Sequence, residues 1–292
     1  MATLRELKTR IGSVASTEKI TGAMKMISSA KVHQNEQQLR QLQPFRAKLT
    51  EIMGHILGTE EDFRSPLIET REVHTAAVVV YGSDDGLCGA YNINIFKGLL
   101  LKLDEIRREN PGVKVTVYPV GEKIAKAVRN LDDVEVIVED GVDSKMSGEA
   151  VNRFTHRLRD KFISGELDMV DVVYMNYKSM SRQVLTMDRL FPVSQDAITG
   201  ADRIADENQL YIFEPDPNSI FNEVLPMFVL STMQEITIEN RASEQAARVI
   251  AMQTANDNAQ KLRDELQLEY NKLRQQNITS ELLDLLGGQV ER

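Results

Sequence analysis

Two long stretches at opposite ends of the chain, poor in proline and glycine, most constrain what this sequence can fold into. Residues 3–57 contain a single proline, Pro44, and residues 218–286 contain only Pro226 and no glycine. Apolar residues recur three or four positions apart in both stretches, which is the period of an amphipathic helix. At a rise of about 1.5 Å per residue these helices extend about 80 Å and about 100 Å, too long to fold separately inside one globule. The pattern therefore predicts that the two helices pair as a coiled coil.

The apolar stripe on each helix is narrow, and in the second helix it is rich in alanine, which lets two backbones approach closely. In the first helix its members are Leu4, Leu7, Ile11, Val14, Ile20, Met24, Ile27, Leu39, Leu42, Phe45, Leu49, Ile52 and Ile56. In the second helix they are Leu225, Val229, Met233, Ile236, Ala247, Ala251, Ala255, Ala259, Leu262, Leu266, Tyr270 and Leu273. The net charges, +5 over residues 1–57 and −4 over residues 218–292, suit two helices that face each other. Pro44 is expected to kink or interrupt the first helix.

The middle of the chain has a different pattern, in which short valine-rich runs alternate with helical segments. The predicted strands are 76–81, 113–120, 134–138 and 169–177, and the predicted helices are 93–109, 121–130 and 147–164. Residues 183–193 are expected to add an edge strand, and residues 196–208 a polar loop. This alternation predicts a mainly parallel sheet with crossover helices. The predicted fold class is α/β: two long terminal helices in an antiparallel coiled coil (1–57 and 218–292), with a Rossmann-like domain (58–217) inserted between them.

The residues that carry chemistry in enzymes do not assemble into a known motif here. The glycine-rich residues 82–90 match neither G-x-x-x-x-G-K-[ST] nor G-x-G-x-x-G, and Asp84 and Asp85 would repel a phosphate. We interpret this segment as a structural turn, with nucleotide binding as the minor alternative. The single cysteine, Cys88, and four histidines show no metal-ligand spacing. We expect no catalytic residue, no cofactor and no metal, and therefore neither hydrolysis nor tight binding of ATP by the chain alone.

The net charge and the length of the apolar runs argue against two further classes of protein: those that mainly bind nucleic acid and those that span a membrane. A net charge of −9 argues against nucleic acid as the main partner. The longest apolar run, residues 75–81, is far below the roughly 20 residues that span a bilayer. Any association with a membrane is therefore expected to pass through a partner.

The helix ends carry the most informative residues. Residues 19–31 mix small residues, methionines and spaced lysines, which predicts one closely packing face and one pliable, cationic face. Residues 270–281 are polar nearly all round, and an apolar end follows at Leu282, Leu283, Leu285 and Leu286. A solvated coiled coil accounts for the charges of the first segment, but not for an apolar helix tip.

These segments resemble the gamma subunits of F-type ATP synthases, at three separate places and in the same order. The N-terminal match comprises Arg-Ile-Gly-Ser-Val (10–14), Lys-Ile-Thr (19–21) and Ala-Met-Lys-Met (23–26). The second is Gly-Leu-Cys-Gly-Ala-Tyr-Asn (86–92). The third includes Ser-Glu (243–244), Tyr-Asn (270–271), Arg-Gln (274–275) and Ile-Thr-Ser-Glu-Leu (278–282). Two places depart from the family: Asp84 and Asp85 stand where a basic residue or asparagine is common, and Asn240, Arg241 and Ala242 replace a Gly-Ala or Tyr-Ala pair.

The resemblance implies a central rotor shaft. Its coiled coil would enter the bore of a hexamer of alpha and beta subunits, and its α/β domain would meet the epsilon subunit and the membrane-embedded c-ring. The protein would couple proton flow to ATP synthesis or hydrolysis at the beta subunits. It would be peripheral, on the cytoplasmic face of a bacterial inner membrane. The residues implied to contact the beta subunit are Met24, Lys25, Arg274, Gln275, Thr279 and Glu281, and those that turn in an apolar bearing are Leu282, Leu283, Leu285 and Leu286.

Two other functions remain as alternatives. A coiled-coil scaffold or adaptor with an α/β recognition module would bind partners through the domain and tolerate changes in the leucine tip. An enzyme that uses the α/β domain, with the helices as a dimerisation arm, would bind a nucleotide or another substrate by itself.

Overall fold

The computed structural model describes residues 3–58, 63–199 and 212–290, with the side chains of residue 199 and residues 284–290 left out. The helices are α1 (Leu4–Leu57), α2 (Tyr91–Glu109), α3 (Glu122–Val128), α4 (Gly148–Ile163), α5 (Gln195–Thr199) and α6 (Pro217–Val290). The strands are β1 (Thr75–Tyr81), β2 (Lys114–Val120), β3 (Glu135–Val136), β4 (Met169–Ser179) and β5 (Arg182–Phe191). This order confirms the predicted fold class, an α/β segment between two long terminal helices.

The five strands form one sheet in the order β3-β2-β1-β4-β5. The β1–β2, β1–β4 and β2–β3 pairs are parallel, and β4–β5 is an antiparallel hairpin at the edge. Val78 in the middle of β1 lies opposite Val117 of β2 and Asp171 of β4. Because β1 is buried on both faces, it consists of a continuous apolar run instead of alternating polar and apolar residues.

Alternate residues of β1 enter two separate apolar cores, one on each face of the sheet. Ala76, Val78 and Val80 belong to the core that α2 and α3 cover. The opposite face packs on α4 and on segments of both terminal helices, through the following buried residues: Ala77, Val79, Tyr81, Phe154, Phe162, Met53, Ile56, Phe221, Leu225 and Phe228. The terminal helices therefore supply part of the cover that a second layer of crossover helices gives in other doubly wound sheets.

Contacts divide the chain into two units, each described by itself. The domain unit is Ala30–Ala247, and the terminal helix pair is Met1–Ser29 with Arg248–Arg292. The division at residues 57 and 217 that the sequence suggests follows the helix ends, and it remains a prediction about which segments fold independently.

Four details of the sequence prediction need correction. α1 continues through Pro44, so the proline removes one backbone donor without interrupting the helix. β3 contains only two residues. The segment expected to be a loop from residue 196 begins inside α5, and residues 200–208 lie outside the described part. The backbone of α6 stays helical past Gly287 and Gly288 to Val290.

Candidate functional site

The terminal helix pair is a two-stranded coiled coil with a seven-residue repeat. The two series are Leu7, Thr21 and Ser28 in α1 and Met252, Ala259 and Leu266 in α6, all buried, with half-buried Val14 and Leu273 at the remaining positions. A repeat of seven residues keeps one seam facing the partner helix and produces a left-handed supercoil. The small side chains at the seam are consistent with closely packed backbones, since a Cβ on Gly22 would lie 3.4 Å from Asn256.

Two polar contacts set the register of this pair. The Thr21 hydroxyl donates to the Asn256 side-chain oxygen at 3.3 Å, and Arg263 donates to the Glu18 carboxylate at 2.5 Å. The earlier residue of α1 meets the later residue of α6, so the helices are antiparallel, as predicted. The same register places Leu4, where α1 begins, opposite residues 273–277 of α6. The part of α6 beyond these residues therefore has no α1 residue opposite it.

Half of the large apolar side chains that are exposed among the described residues lie in the terminal helix pair, although it is the smaller of the two units. They are Ile20, Met26, Ile27, Ile250, Leu262, Leu268, Ile278, Leu282 and Leu283. Met26 is 74% exposed and Leu268 is 71% exposed, more than solubility alone would favour. A concentration of exposed apolar groups on a long helical surface is typical of a surface that another protein covers.

Some residues that the sequence analysis assigned to the contact between the two helices are therefore exposed to solvent. Ile20, Ile27 and Leu262 belong to the apolar stripe read from the sequence, yet each is about half exposed. Two helices bury only the side chains that point at each other, and the stripe is wider than that seam. The apolar positions Met26, Ile250 and Leu268 are also exposed, and sequence analysis missed them as contact candidates. The sequence did contain a sign of their exposure: an apolar residue outside the stripe that faces the partner helix is expected to point to solvent.

The structure separates the predicted contact residues into two groups. Met24 and Lys25 are half-buried on α1, and the register places Met24 opposite residues 253–257. Arg274 and Gln275 are exposed further along α6, about 25–30 Å away at the helical rise. They therefore require contacts at two different levels along the helix pair.

The exposed end of α6 carries the remaining predicted residues. Thr279, Glu281, Leu282 and Leu283 are exposed, and the Thr279 hydroxyl donates back to the Gln275 carbonyl at 2.9 Å. Within the described residues the Arg274 guanidinium has no hydrogen bond or ion pair, so its donors are available. The side chains of Leu285 and Leu286 lie outside the described residues.

In the glycine-rich turn after β1, the Asp84 side chain is hydrogen-bonded to other parts of the same chain. The Asp84 carboxylate accepts from the Glu122 backbone N–H at 3.2 Å, at the start of α3, and from the Ser144 hydroxyl at 2.8 Å. A carboxylate of the protein thus accepts a backbone donor at the start of α3, where a negative charge is favourable. A Cβ on Gly82 would lie 2.6 Å from the Cβ of Ile124, so glycine there permits close packing. These contacts support a structural turn.

The single cysteine and the possible metal ligands were the other candidates for a chemical role. Cys88 is buried, and it accepts a hydrogen bond from the Asn92 side-chain amide at 3.4 Å. In the parts of the chain that the structure describes, no group of three or more His, Cys, Asp or Glu residues is arranged to hold a metal ion. Among those same residues, no helix has a long enough apolar stretch to cross a bilayer.

A cluster of charged side chains lies in the domain unit, where α1 and α6 meet the β4–β5 hairpin. Arg46 of α1 forms an ion pair with Glu235 of α6, and its guanidinium lies 5.9 Å from the centroid of the Phe228 ring. On the hairpin, the Tyr174 hydroxyl donates to the Asp188 carboxylate at 2.9 Å.

The half-buried Glu239 of α6 faces this cluster. Burial raises the pKa of its carboxyl to about 7, Lys178 and Arg46 oppose the shift, and Asp188 adds to it. Because the pKa in the folded chain lies above the unfolded value of about 4.3, the folded chain binds more protons at this site between the two values. The contribution of Glu239 to stability is therefore fully present below about pH 4 and is lost as the pH rises through 7.

We expect Glu239→Gln to raise the midpoint of thermal unfolding by a few degrees at pH 8 and by much less at pH 5, because the amide cannot ionise. Circular dichroism melts of the two chains at both pH values measure this difference. Glu269→Gln, at an exposed position of α6, is the matched control and should change neither midpoint. A gain from Glu239→Gln that is equal at pH 5 and pH 8 would contradict the raised pKa.

Comparison with known proteins agrees with the geometry of the terminal helix pair. A protein-family model described as ATP synthase matches residues 3–290. The ATP synthase gamma chain of Bacteroides thetaiotaomicron is 36% identical over 299 residues, covering 100% of both chains. That of Parabacteroides distasonis is 38% identical over 291 residues, covering 99% of this chain and 98% of the relative.

Solved structures show the same fold. A chain of the Euglena gracilis mitochondrial ATP synthase, from its OSCP/F1/c-ring part in rotational state 3, has a TM-score of 0.61 and covers 98% of this chain and 93% of its own length. A chain of the rotor of the same enzyme in rotational state 1 has a TM-score of 0.60. At 22% and 20% identity these likenesses concern the fold alone.

Proposed function

The chain belongs to the ATP synthase family as one of its gamma chains, and from this membership we propose that it is the central rotor shaft of an F-type ATP synthase. In this role it couples proton flow through the membrane sector to ATP synthesis or hydrolysis on the beta subunits. The observation that carries the proposal is the terminal helix pair, whose apolar side chains remain exposed on both helices. A surface of this kind fits inside a protein bore better than it fits water.

The partners we propose are the alpha and beta subunits around the terminal helix pair, and the epsilon subunit and the c-ring at the domain unit. Residues of the pair would meet the beta subunits at two levels, with Met24 and Lys25 at one and Arg274, Gln275, Thr279 and Glu281 at the other. The two levels are supported by the separation of these groups along the helix pair. Leu282, Leu283, Leu285 and Leu286 would turn in an apolar sleeve at the far end of the bore.

The surface chemistry suits a part that turns against its partners. A shaft must avoid deep energy wells at any one angle, and aromatic anchors in pockets create such wells. The exposed apolar groups are Ile, Leu and the flexible Met26, which adapt to changing neighbours. Among the side chains of the terminal helix pair that the structure describes, no exposed apolar residue is aromatic.

We further propose that the chain is not itself catalytic and that ATP is hydrolysed on its partners. The turn after β1, where a nucleotide would be sought, is filled by the contacts of Asp84 described above. The location that follows is peripheral, on the cytoplasmic face of a bacterial inner membrane, with attachment through the c-ring.

Reconstitution with alpha and beta subunits tests the proposal. The chain alone should neither hydrolyse ATP nor bind it in calorimetry, and the mixture should form a complex that hydrolyses ATP. A bead attached through Arg108→Cys, at an exposed position near the end of α2, should rotate in one direction during hydrolysis. The native Cys88 is buried, so labelling is selective for the introduced thiol.

The alternatives predict other outcomes. ATP binding or turnover by the chain alone would favour an enzyme. Assembly that leaves the bead stationary, with hydrolysis unchanged by removal of residues 278–292, would favour a coiled-coil scaffold or adaptor.

A further inference from the structure

The crevice where doubly wound sheets bind their ligands is occupied in this chain by its own helix. From β1 the chain proceeds outward to β2 and β3, and β4 then returns to the other side of β1. In such sheets the ligand crevice opens beyond the carboxyl ends of the two strands at this reversal. In this sheet β1 is followed by Gly82, and its pairing with β4 ends near Met175; Gly82 and Met175 lie at the same level in the register. Asn240 of α6 is hydrogen-bonded to both.

The Asn240 side chain is buried, and its polar atoms bind backbone groups of the two strand ends. Its amide nitrogen donates to the Gly82 carbonyl at 3.3 Å, and its side-chain oxygen accepts the Met175 N–H at 3.3 Å. The same oxygen accepts the Tyr91 hydroxyl of α2 at 2.6 Å, and this hydroxyl also lies 3.0 Å from the Asn240 carbonyl. One side chain thus joins α6 to β1, β4 and α2.

Neighbouring residues on the same part of α6 repeat the pattern. Thr237 and Tyr81 share a hydrogen bond of 2.9 Å between their hydroxyls. The Ser243 hydroxyl donates to the Met175 carbonyl at 3.0 Å. Arg241 donates to the Ser144 carbonyl at 2.6 Å and also to the Met146 carbonyl. Apolar packing also holds α6 on the sheet, but its contacts fix no direction between particular atoms.

Directional bonds from a helix to fixed backbone atoms oppose movement of the helix relative to those atoms. They act on the orientation of α6 about its own axis, which apolar contacts constrain weakly because they are non-directional. Asn240 is the centre of this set, since its bonds reach three different elements.

We propose that Asn240 is the positioning residue that locks α6 to the α/β sheet and thereby transmits rotation between the sheet and α6. This inference rests on the proposed rotor function and assigns one step of it to a residue at the position where other doubly wound sheets bind ligands. Without the lock, torque applied to the sheet is lost as slippage of α6 on it.

The test uses Asn240→Leu, which keeps the size of the side chain and removes its hydrogen bonds. Asn222→Leu is the matched control, because Asn222 is a half-buried amide of the same helix that donates to the Arg64 and Asn218 carbonyls and not to the sheet. Each chain is assembled into the complete ATP synthase in lipid vesicles. Two quantities are measured: the rate of ATP hydrolysis by the complex of this chain with alpha and beta subunits alone, and the number of protons pumped per ATP by the complete enzyme.

Asn240→Leu should leave hydrolysis within about twofold of the wild type and lower the protons pumped per ATP by about threefold or more. Asn222→Leu should change neither. Tyr91→Phe removes only one hydroxyl from the lock and should lower the pumping ratio less. It also serves as the test variant if Asn240→Leu does not fold.

An unchanged pumping ratio in both lock variants overturns the inference. A parallel loss of hydrolysis and pumping also overturns it, because that result indicates a general loss of structure. Failure of the wild-type chain to support hydrolysis with alpha and beta subunits refutes the proposed function, and this inference with it. The two failures are thereby distinguished.

Discussion

Replacing Asp171 with alanine should lower the free energy of unfolding of the chain by about 3 kcal/mol. Asp171 lies in β4 and is 0% exposed. Its carboxylate accepts from the Arg189 side chain at 2.8 Å and lies 3.1 Å from the Lys102 ammonium of α2. The Lys102 side chain is itself only 10% exposed, so the substitution leaves a cation in the apolar layer between α2 and the sheet.

The size of this loss follows from what remains after the substitution. Removing one partner of a buried ion pair typically costs about 3–5 kcal/mol, because the other charge is left uncompensated. Here Glu105 stays 3.2 Å from Lys102 and is half exposed, which places the expected loss at the lower end of that range. Urea unfolding followed by circular dichroism measures it.

Two further variants separate the burial of charge from the loss of contacts. Glu105→Ala removes the exposed partner and should cost less than about 1 kcal/mol. The double change Lys102→Met with Asp171→Leu should cost much less than Asp171→Ala, since it removes the buried charges together. If Asp171→Ala costs no more than Glu105→Ala, the carboxylate is not the compensating group.

Arg274→Ala should lower the rate of ATP hydrolysis by the assembled complex about tenfold or more, while the chain alone stays folded. Arg274 is exposed, it lies where α6 passes the first residues of α1, and it has no partner among the described residues. Its five donors match a carboxylate of another subunit in a bidentate arrangement. Loss of one such charge-assisted contact costs about 1.5–3 kcal/mol in the state that makes it.

Two control variants test whether the planar side chain of Arg274 and its exact position matter. Arg274→Lys keeps the charge without the planar fork and should recover only part of the activity. Lys272→Ala removes an exposed cation two residues away and should have little effect. Steady-state hydrolysis by the reconstituted complex measures the rates, and circular dichroism of the chain checks the fold. Unchanged hydrolysis by an intact Arg274→Ala complex would falsify the proposed contact with the beta subunit.

Much of the fold followed from periodicity. The apolar stripe with a spacing of three or four residues predicted the ends of α1 and α6 with errors of four residues or fewer. The valine-rich runs predicted the strands around Val78 and Val172. The edge strand was also predicted, and the structure shows it as the antiparallel β5. These features depend on neighbours in the sequence, so the sequence is sufficient to find them.

The candidate site was predicted less completely. Leu7 and Ala259 of the stripe are buried at the seam, but Ile20 and Leu262 of the same stripe are surface. Periodicity identifies residues that share one face of a helix. It does not identify how much of that face the partner helix covers, because this depends on the supercoil and on the distance between the two helices.

By itself, the sequence determined the two terminal helices, the alternation of strands and helices between them, and the absence of a recognised nucleotide motif. Only the tertiary structure decided which apolar groups stay exposed and what fills the crevice of the sheet. Asn240 and Gly82 are 158 positions apart, and no local pattern marks an asparagine in a long helix as the partner of a turn in the sheet. Similarly, Asp171 interrupts a valine-rich strand, and its charge is tolerated only because the fold brings Lys102 and Arg189 beside it. Local sequence sets backbone periodicity, whereas burial and hydrogen bonding of polar side chains depend on elements that meet only after folding.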